Sequence, residues 1–251
     1  MSPTRFGRPD KDEIAKPETT ALDAGSDRID HSRPLRQQVY AIVRRSILTG
    51  EFAPGATIDE KAIALAFGVS RTPVREAVKK LSDENLVAVK AQSATIVAPI
   101  DAGLIREAFL IRRALEVENI TQAVEKMNEL HKDRMDELHL LHVHAIQRRR
   151  YVDAIAWDDA FHRYLSEISG LPRLWKAIEI SKAHLDRCRY LTVPRPGRAQ
   201  ATLDQHRQII DALTAGDKKL SRRMMSDHLE NAFRDIMIFL GSIGAGGSEG
   251  R

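Results

Sequence analysis

The sequence predicts a mostly α-helical protein in two parts, an N-terminal winged helix-turn-helix followed by an all-α helical bundle. Three observations carry that expectation. Apolar residues recur at helical spacing through most of the chain from Leu35 to about Gly241; one interval alone, "LVAVKAQSATIVAPI", switches to β-rich residues; and it directly follows three short helical segments. No alternation of strands with helices and no internal repeat follows, which excludes a parallel α/β sheet or a solenoid. With 251 residues, 43% of them hydrophobic, the chain can bury a core in each part. The expected organisation is a disordered tail over 1–33, a winged helix-turn-helix over 34–100, an all-helical body over 101–241 and a flexible Gly/Ser tail over 242–251.

The first helix is expected to start after Pro34, to carry Leu35, Val39, Ile42, Val43, Ile47 and Leu48 on its apolar side, and to end at Gly50. Asp59 suits the N-cap of a second, short helix with Ile63 and Phe67 inward, and Gly68 falls where a left-handed residue closes a helix. Ser70 is the expected N-cap of a third helix, with Pro73 in its first turn and Val74, Val78 and Leu81 facing the core. "LVAVK" and "ATIVAP" form the two strands of a hairpin wing. Beyond Pro99 and Asp101, breaks near Met127, Arg150, Gly170, "TVPRPG" and Gly216 divide the body into about six helices.

Composition narrows the function. A net charge of +4 with 29% charged residues is only a mild excess of base, so any nucleic-acid signal is local. The single cysteine, Cys188, excludes an internal disulfide framework and paired-cysteine metal sites, and favours a reducing compartment, the cytoplasm. No run approaches the roughly 18 apolar residues of a membrane helix, and "MSPTRFGRPDKDEIAK" lacks the apolar core of a signal peptide.

The local signal is "FGVSRTPVREAVKKL". In a helix-turn-helix the second helix of the motif enters the major groove with its N-terminus first. Arg71, Thr72 and Arg75 occupy that end; Arg71 and Arg75 share one face while Val74 and Val78 lie on another. A guanidinium fork binds guanine or clamps a phosphate, and the Ser70 and Thr72 hydroxyls can hold phosphates. In isolation such a basic edge is usually just a solvated face; three helices and a hairpin in this order turn it into a groove-facing one.

In the body, Asp158 and His162 are four residues apart on one helix face, and His206 and His228 lie on two later helices. Three helices converging in a bundle could present one Asp and three His to a metal, although each histidine taken singly also reads as an ordinary surface or packed residue. His131, His139, His142, His144 and His184 have only that ordinary reading. An Asp/His set suits a divalent transition metal, Zn²⁺, Ni²⁺, Mn²⁺ or Fe²⁺, with open positions left on an octahedral ion. An open metal site also admits a metal-dependent hydrolase, but no nucleophile motif, Gly-rich phosphate loop or HExxH accompanies it. A DNA-associated structural protein would leave this polar constellation without a use.

Residues 35–99, through "ILTGEFAPGATIDEKAIALAFGVSRTPVREAVKKLSDENLVAV", resemble the GntR transcription regulators. Residues 103–240, through "IRRALE", "DDAFHRYLSEISG", "HRQIIDALTAGD" and "DHL", resemble the FCD ligand-binding domain of the FadR subfamily, and the count of about six helices resembles its VanR-like group. The resemblance implies DNA contacts from Arg71, Thr72 and Arg75, with Ser70 and Lys61 as weaker candidates, and a metal held by Asp158, His162, His206 and His228. It further implies a small carboxylate effector bound to the metal and steadied by Arg112, whose ordinary alternative is a surface ion pair with Glu116. The expected function is a ligand-responsive transcription regulator and not an enzyme, a repressor released by its acid, binding an inverted-repeat double-stranded DNA operator as a homodimer. Two positions depart from the family pattern. The wing reads Gln92, Ser93 and Ala94 where a basic residue and glycine are usual, and Leu171 replaces the usual asparagine after "SG".

Overall fold

The computed structural model describes residues 29–90 and 94–246, so the expectations for residues 1–28, for the wing tip at 91–93 and for residues 247–251 lie outside the described residues. The head consists of α1 (Leu35–Thr49), α2 (Glu60–Ala66), α3 (Arg71–Asp83) and an antiparallel hairpin of β1 (Val87–Lys90) and β2 (Ala94–Val97), with Val87 opposite Val97. Chain punctuation places these elements as the residue types require. Gly50 and Gly68, at φ 85° and 62°, adopt the left-handed conformation that ends α1 and turns the chain between α2 and α3. The Asp59 carboxylate accepts from the backbone N–H groups of Lys61 and Ala62 at 2.8 and 3.1 Å.

Ser70 stands at the N-cap of α3 in an extended conformation, but its hydroxyl makes no capping hydrogen bond. The third helical residue, Pro73, has no N–H, so one of the two backbone donors that a cap can reach is missing. Val39, Val43 and Ile47 of α1 pack with Val74, Ala77, Val78 and Leu81 of α3, and Phe52, Ile63, Phe67, Leu86 and Val97 close the head core. An isolated bridge from Thr57 to Ile96 adds a short third edge to the hairpin.

The body contains α4 (Ala102–Val124), α5 (Glu129–Gln147), α6 (Tyr151–Ile168), α7 (Pro172–Ser181), α8 (Ala183–Thr192), α9 (Arg198–Thr214) and α10 (Lys218–Gly246). These are seven helices among the described residues where the sequence suggested about six. The additional break, at Lys182, carries no glycine or proline. The buried Lys182 ammonium at this position bonds Asp159 of α6 at 2.7 Å and Asp186 of α8 at 2.6 Å.

Helix α8 joins the two parts. Ala183 belongs to the head core, His184 Nε2 lies 3.2 Å from the Glu84 carbonyl oxygen, and Arg187 donates to the Ala98 carbonyl at 2.7 Å. Arg44 of α1 donates to the Glu179 carbonyl at 3.2 Å from the other direction.

Candidate metal centre and nucleic-acid face

The four expected metal ligands come together. Asp158 and His162 project from α6, His206 from α9 and His228 from α10; all are buried, and one ligating atom of each lies within 4.8 Å of the others. Each side chain is aimed by a neighbour. The Glu116 carboxylate of α4 contacts His162 Nδ1, Gln205 Oε1 lies 2.9 Å from His228 Nδ1, and the Phe161 ring stacks on His206 at 4.0 Å between centroids. Held from behind in this way, His162 and His228 turn their Nε2 atoms toward each other at 3.3 Å. Imidazole nitrogens so close can share one bound cation. His206 has no hydrogen-bond partner at either nitrogen, and its Nε2 lies 3.4 Å from Asp158 Oδ1. An orphaned buried imidazole in this position fits a metal ion.

Electrostatics agree with that fit. Burial, then the neighbouring His162, pushes His228 down to about 3, and burial holds His206 well below the ordinary histidine range. Both imidazoles are therefore neutral at pH 7, the form that ligates a metal. Burial opposes ionisation of Asp158, but the Arg189 guanidinium and the surrounding histidines outweigh it and hold the carboxyl well below its usual range. Asp and neutral imidazoles can hold Zn²⁺, Ni²⁺, Mn²⁺ or Fe²⁺.

A cavity of about 30 Å³ adjoins these residues, lined among others by Arg112, His142, Asp158, Arg189, Thr192 and Arg198. The Arg112–Glu116 pair is formed, at 2.5 Å, but it is buried rather than on the surface. Its position on the core side of α4 leaves Arg112 Nη2 buried with no hydrogen-bond partner. Burial works against the Glu116 carboxylate, yet Arg112 and His162 lower it to about 2. Leu171, by contrast, caps α7 and is 41% exposed, away from the cavity lining.

Sequence reasoning missed three residues here. Glu116 was visible only as a surface partner, although its i+4 spacing from Arg112 was the available signal. His142 lies on the buried stripe of α5 with Met135, Leu138 and Ala145, a pattern that marks it as internal but not as part of a site. Arg189 gave no signal. It donates to Asp158 at 2.5 Å, Asp159 at 2.8 Å and Asp186 at 3.0 Å, which places one cation among three carboxylates and ties the Asp/His cluster to α8. Arg189→Met should cost about 3–5 kcal/mol of stability, because it leaves Asp158 buried without its cation. Urea unfolding of the two proteins checks this, and a loss under 1 kcal/mol, the range of an exposed pair, would contradict it.

On the head, Lys61, Ser70, Arg71, Thr72 and Arg75 are all exposed, while Val74 and Val78 on the opposite side of α3 are buried. Arg75 Nε bonds Glu60 of α2 at 3.3 Å, which orients its guanidinium at the solvent edge of the helix-turn-helix. Lys61 sits on α2, apart from the α3 row.

Residues 35–97 match the family of bacterial regulatory proteins named gntR, and residues 107–231 match the FCD domain. The chain is 33% identical over 209 residues to the HTH-type transcriptional repressor RspR of Escherichia coli K12, covering 83% of this chain and 91% of that protein. It is 35% identical over 210 residues to an uncharacterized HTH-type transcriptional regulator in an unstable DNA locus of Streptomyces ambofaciens, covering 82% and 86%. Among solved structures, the fold is similar to that of E. coli McbR/YncC, with a TM-score of 0.73 at 22% identity over 83% of this chain and 99% of that one. No helix among the described residues is long and apolar enough to cross a membrane.

Proposed function

This chain belongs to the GntR family of bacterial regulatory proteins, with an FCD domain behind its DNA-binding head, and we propose that it is a repressor whose operator affinity falls when a small carboxylic acid joins a metal ion in the helical bundle. The sign follows the repressor RspR, and the hydrolase reading finds no support among relatives that are transcription regulators. In this reading residues 34–100 form the DNA-binding domain and 101–241 the effector and dimerisation domain. Asp158, His162, His206 and His228 hold a divalent transition metal, and Lys61, Ser70, Arg71, Thr72 and Arg75 face a cytoplasmic inverted-repeat operator. A homodimer supplies two such heads for the two half-sites.

The observation that carries the proposal is the convergence of four buried donors, with the Nε2 atoms of His162 and His228 3.3 Å apart beside a partnerless His206. When bound there, a metal would supply open positions to an oxygen ligand. The protein supplies the rest. Arg112 Nη2 offers a buried, unanswered donor suited to a carboxylate, and Glu116 fixes the guanidinium that carries it.

Coupling to DNA runs through α8. Arg189 bonds Asp158 at one face of this helix, while Ala183, His184 and Arg187 hold the head. A ligand that rearranges the Asp158–Arg189 contact shifts α8 against the head, and linkage then changes DNA affinity by the same free energy, about 1–3 kcal/mol. Operator titrations of metal-loaded protein with a library of small carboxylates test this. At least one acid should weaken operator binding about 5- to 150-fold and raise the melting temperature. Operator affinity unmoved by every acid would overturn the effector role.

A further inference from the structure

We propose that the ion pair between Arg198 and Asp235 is a gate, closing the route by which solvent, and a metal ion with it, reaches the buried Asp/His cluster. The passage of metal rests on the reading above; the closure itself is a property of the chain alone.

Two hollows meet at this pair. The inner one is the cavity of about 30 Å³ beside the cluster, where Ala154, Asp158, Thr192 and His228 are all buried. The outer one is an open groove of about 330 Å³, lined among others by Arg195, Gly197, Asp235 and Ile238. Thr192 and Arg198 line both. Thr192 is fixed, buried on α8 with its hydroxyl donating to the Cys188 carbonyl at 3.0 Å. Arg198 is the movable one. Its side chain is 13% exposed and reaches across from α9 to Asp235 of α10, which is 39% exposed, so the pair spans the wall between groove and cavity.

The chain on the Arg198 side is held from one direction only. Gly197, at φ 77°, is the N-cap of α9 and brings no side chain to cap the first N–H groups. Arg198 opens the helix, where the positive end of the dipole disfavours a cation. What holds this end lies on α10: Asp235 against Arg198, and Phe239, whose ring centroid is 5.3 Å from the Arg195 guanidinium. Contacts of this partly exposed kind shift an equilibrium only a few-fold, so thermal motion can break them. Ile155 and Ile236 elsewhere in the cavity wall are packed in helices at 3% and 2% exposure and offer no such weak point.

Opening is read in metal-free, full-length protein by a thiol placed inside. Cys188 is replaced by alanine, and Ala154, which lines the cavity and not the groove, by cysteine; the reagent is iodoacetamide, which is uncharged. While reclosing outpaces alkylation, the labelling rate follows the open fraction. Asp235→Asn should raise it about 2- to 5-fold and Arg198→Ala by at least as much. The two together should exceed Arg198→Ala by nothing, since both break one contact. Added salt should speed labelling with the pair intact and leave Asp235→Asn unmoved. If Ala154→Cys does not fold, Thr202→Cys carries the same comparison. The native Cys188, buried on α8 outside the cavity lining, is the control, and in the otherwise unaltered chain its labelling should not respond to Asp235→Asn. Cavity labelling unmoved by either substitution overturns the gate, as does an equal acceleration at Cys188, which would mean general loosening. In zinc-loaded protein Asp235→Asn should release zinc to a chelator faster by the same factor at unchanged equilibrium affinity; an unchanged release rate overturns the passage of metal by this route. Protein that takes up no zinc sinks the metal reading, and the thiol rates then decide the gate by themselves.

Discussion

A protein carrying both Arg71→Ala and Arg75→Ala should lose operator affinity by on the order of 100-fold or more at physiological salt, since each guanidinium that reads a base contributes about 1–3 kcal/mol. Its folding should be untouched. Both side chains are exposed, and the one interaction described for Arg75, with Glu60, joins an exposed arginine to a partly buried carboxylate, a class of pair worth about 0–1 kcal/mol. The measurement is fluorescence anisotropy with a fragment selected from random-sequence DNA, set beside a scrambled fragment across a salt series. Loss of discrimination between the fragments identifies base reading. An equal loss on both, with a salt slope reduced by about one per lost contact, identifies phosphate clamping. Unchanged affinity would remove α3 from the DNA interface.

The second large effect is expected at the Asp/His cluster. Protein purified without chelator should contain close to one transition-metal ion per chain, and His206→Ala or His228→Ala should abolish it, because each removes one of four converging donors. Glu116→Gln touches no donor atom directly, yet it weakens the acceptor that orients His162 and should lower metal affinity about 10- to 100-fold. Elemental analysis and competition with a chromophoric chelator read these outcomes, and a wild type as empty as the variants ends the metal assignment.

Chelation has a pH signature whose sign is fixed. In metal-free protein His228 titrates near 3 and His142 near 4, the latter lowered by burial, whereas both titrate near 6.5 when unfolded. As pH falls below 6.5, the unfolded chain binds protons that the folded one refuses, so stability falls, by about 1.4 kcal/mol per pH unit for each such imidazole. The loss continues until the folded protein itself takes up protons, near 4 for His142 and near 3 for His228. Bound metal opposes this, because protons must then displace it.

Much of the head was legible because its signals are local. Gly50, Asp59 and Gly68 act through the backbone next to them, and the apolar spacing of Val74, Val78 and Leu81 depends only on helical pitch. The failures were of a different kind. Ser70 looked like a capping residue, but its hydroxyl makes no capping bond, and Pro73 offers none of the N–H donors a cap can use. The break at Lys182 was invisible because no glycine or proline marks it. The Arg112–Glu116 pair was correctly spaced and wrongly placed, since i+4 spacing does not say which side of α4 faces the core.

By itself, then, the sequence determined the order of helices and strands in the head, an all-helical body, an arginine-bearing edge on α3, and a set of four candidate ligands on three helices. Only the tertiary structure decided that those ligands converge, that Glu116 and Gln205 aim two of them, that His142 lines the cavity, and that α8 joins the cluster to the head. The physical reason is range. Helical periodicity fixes which side chains share a face within a few turns, whereas the meeting of His162 with His228, 66 positions apart, depends on how whole helices pack.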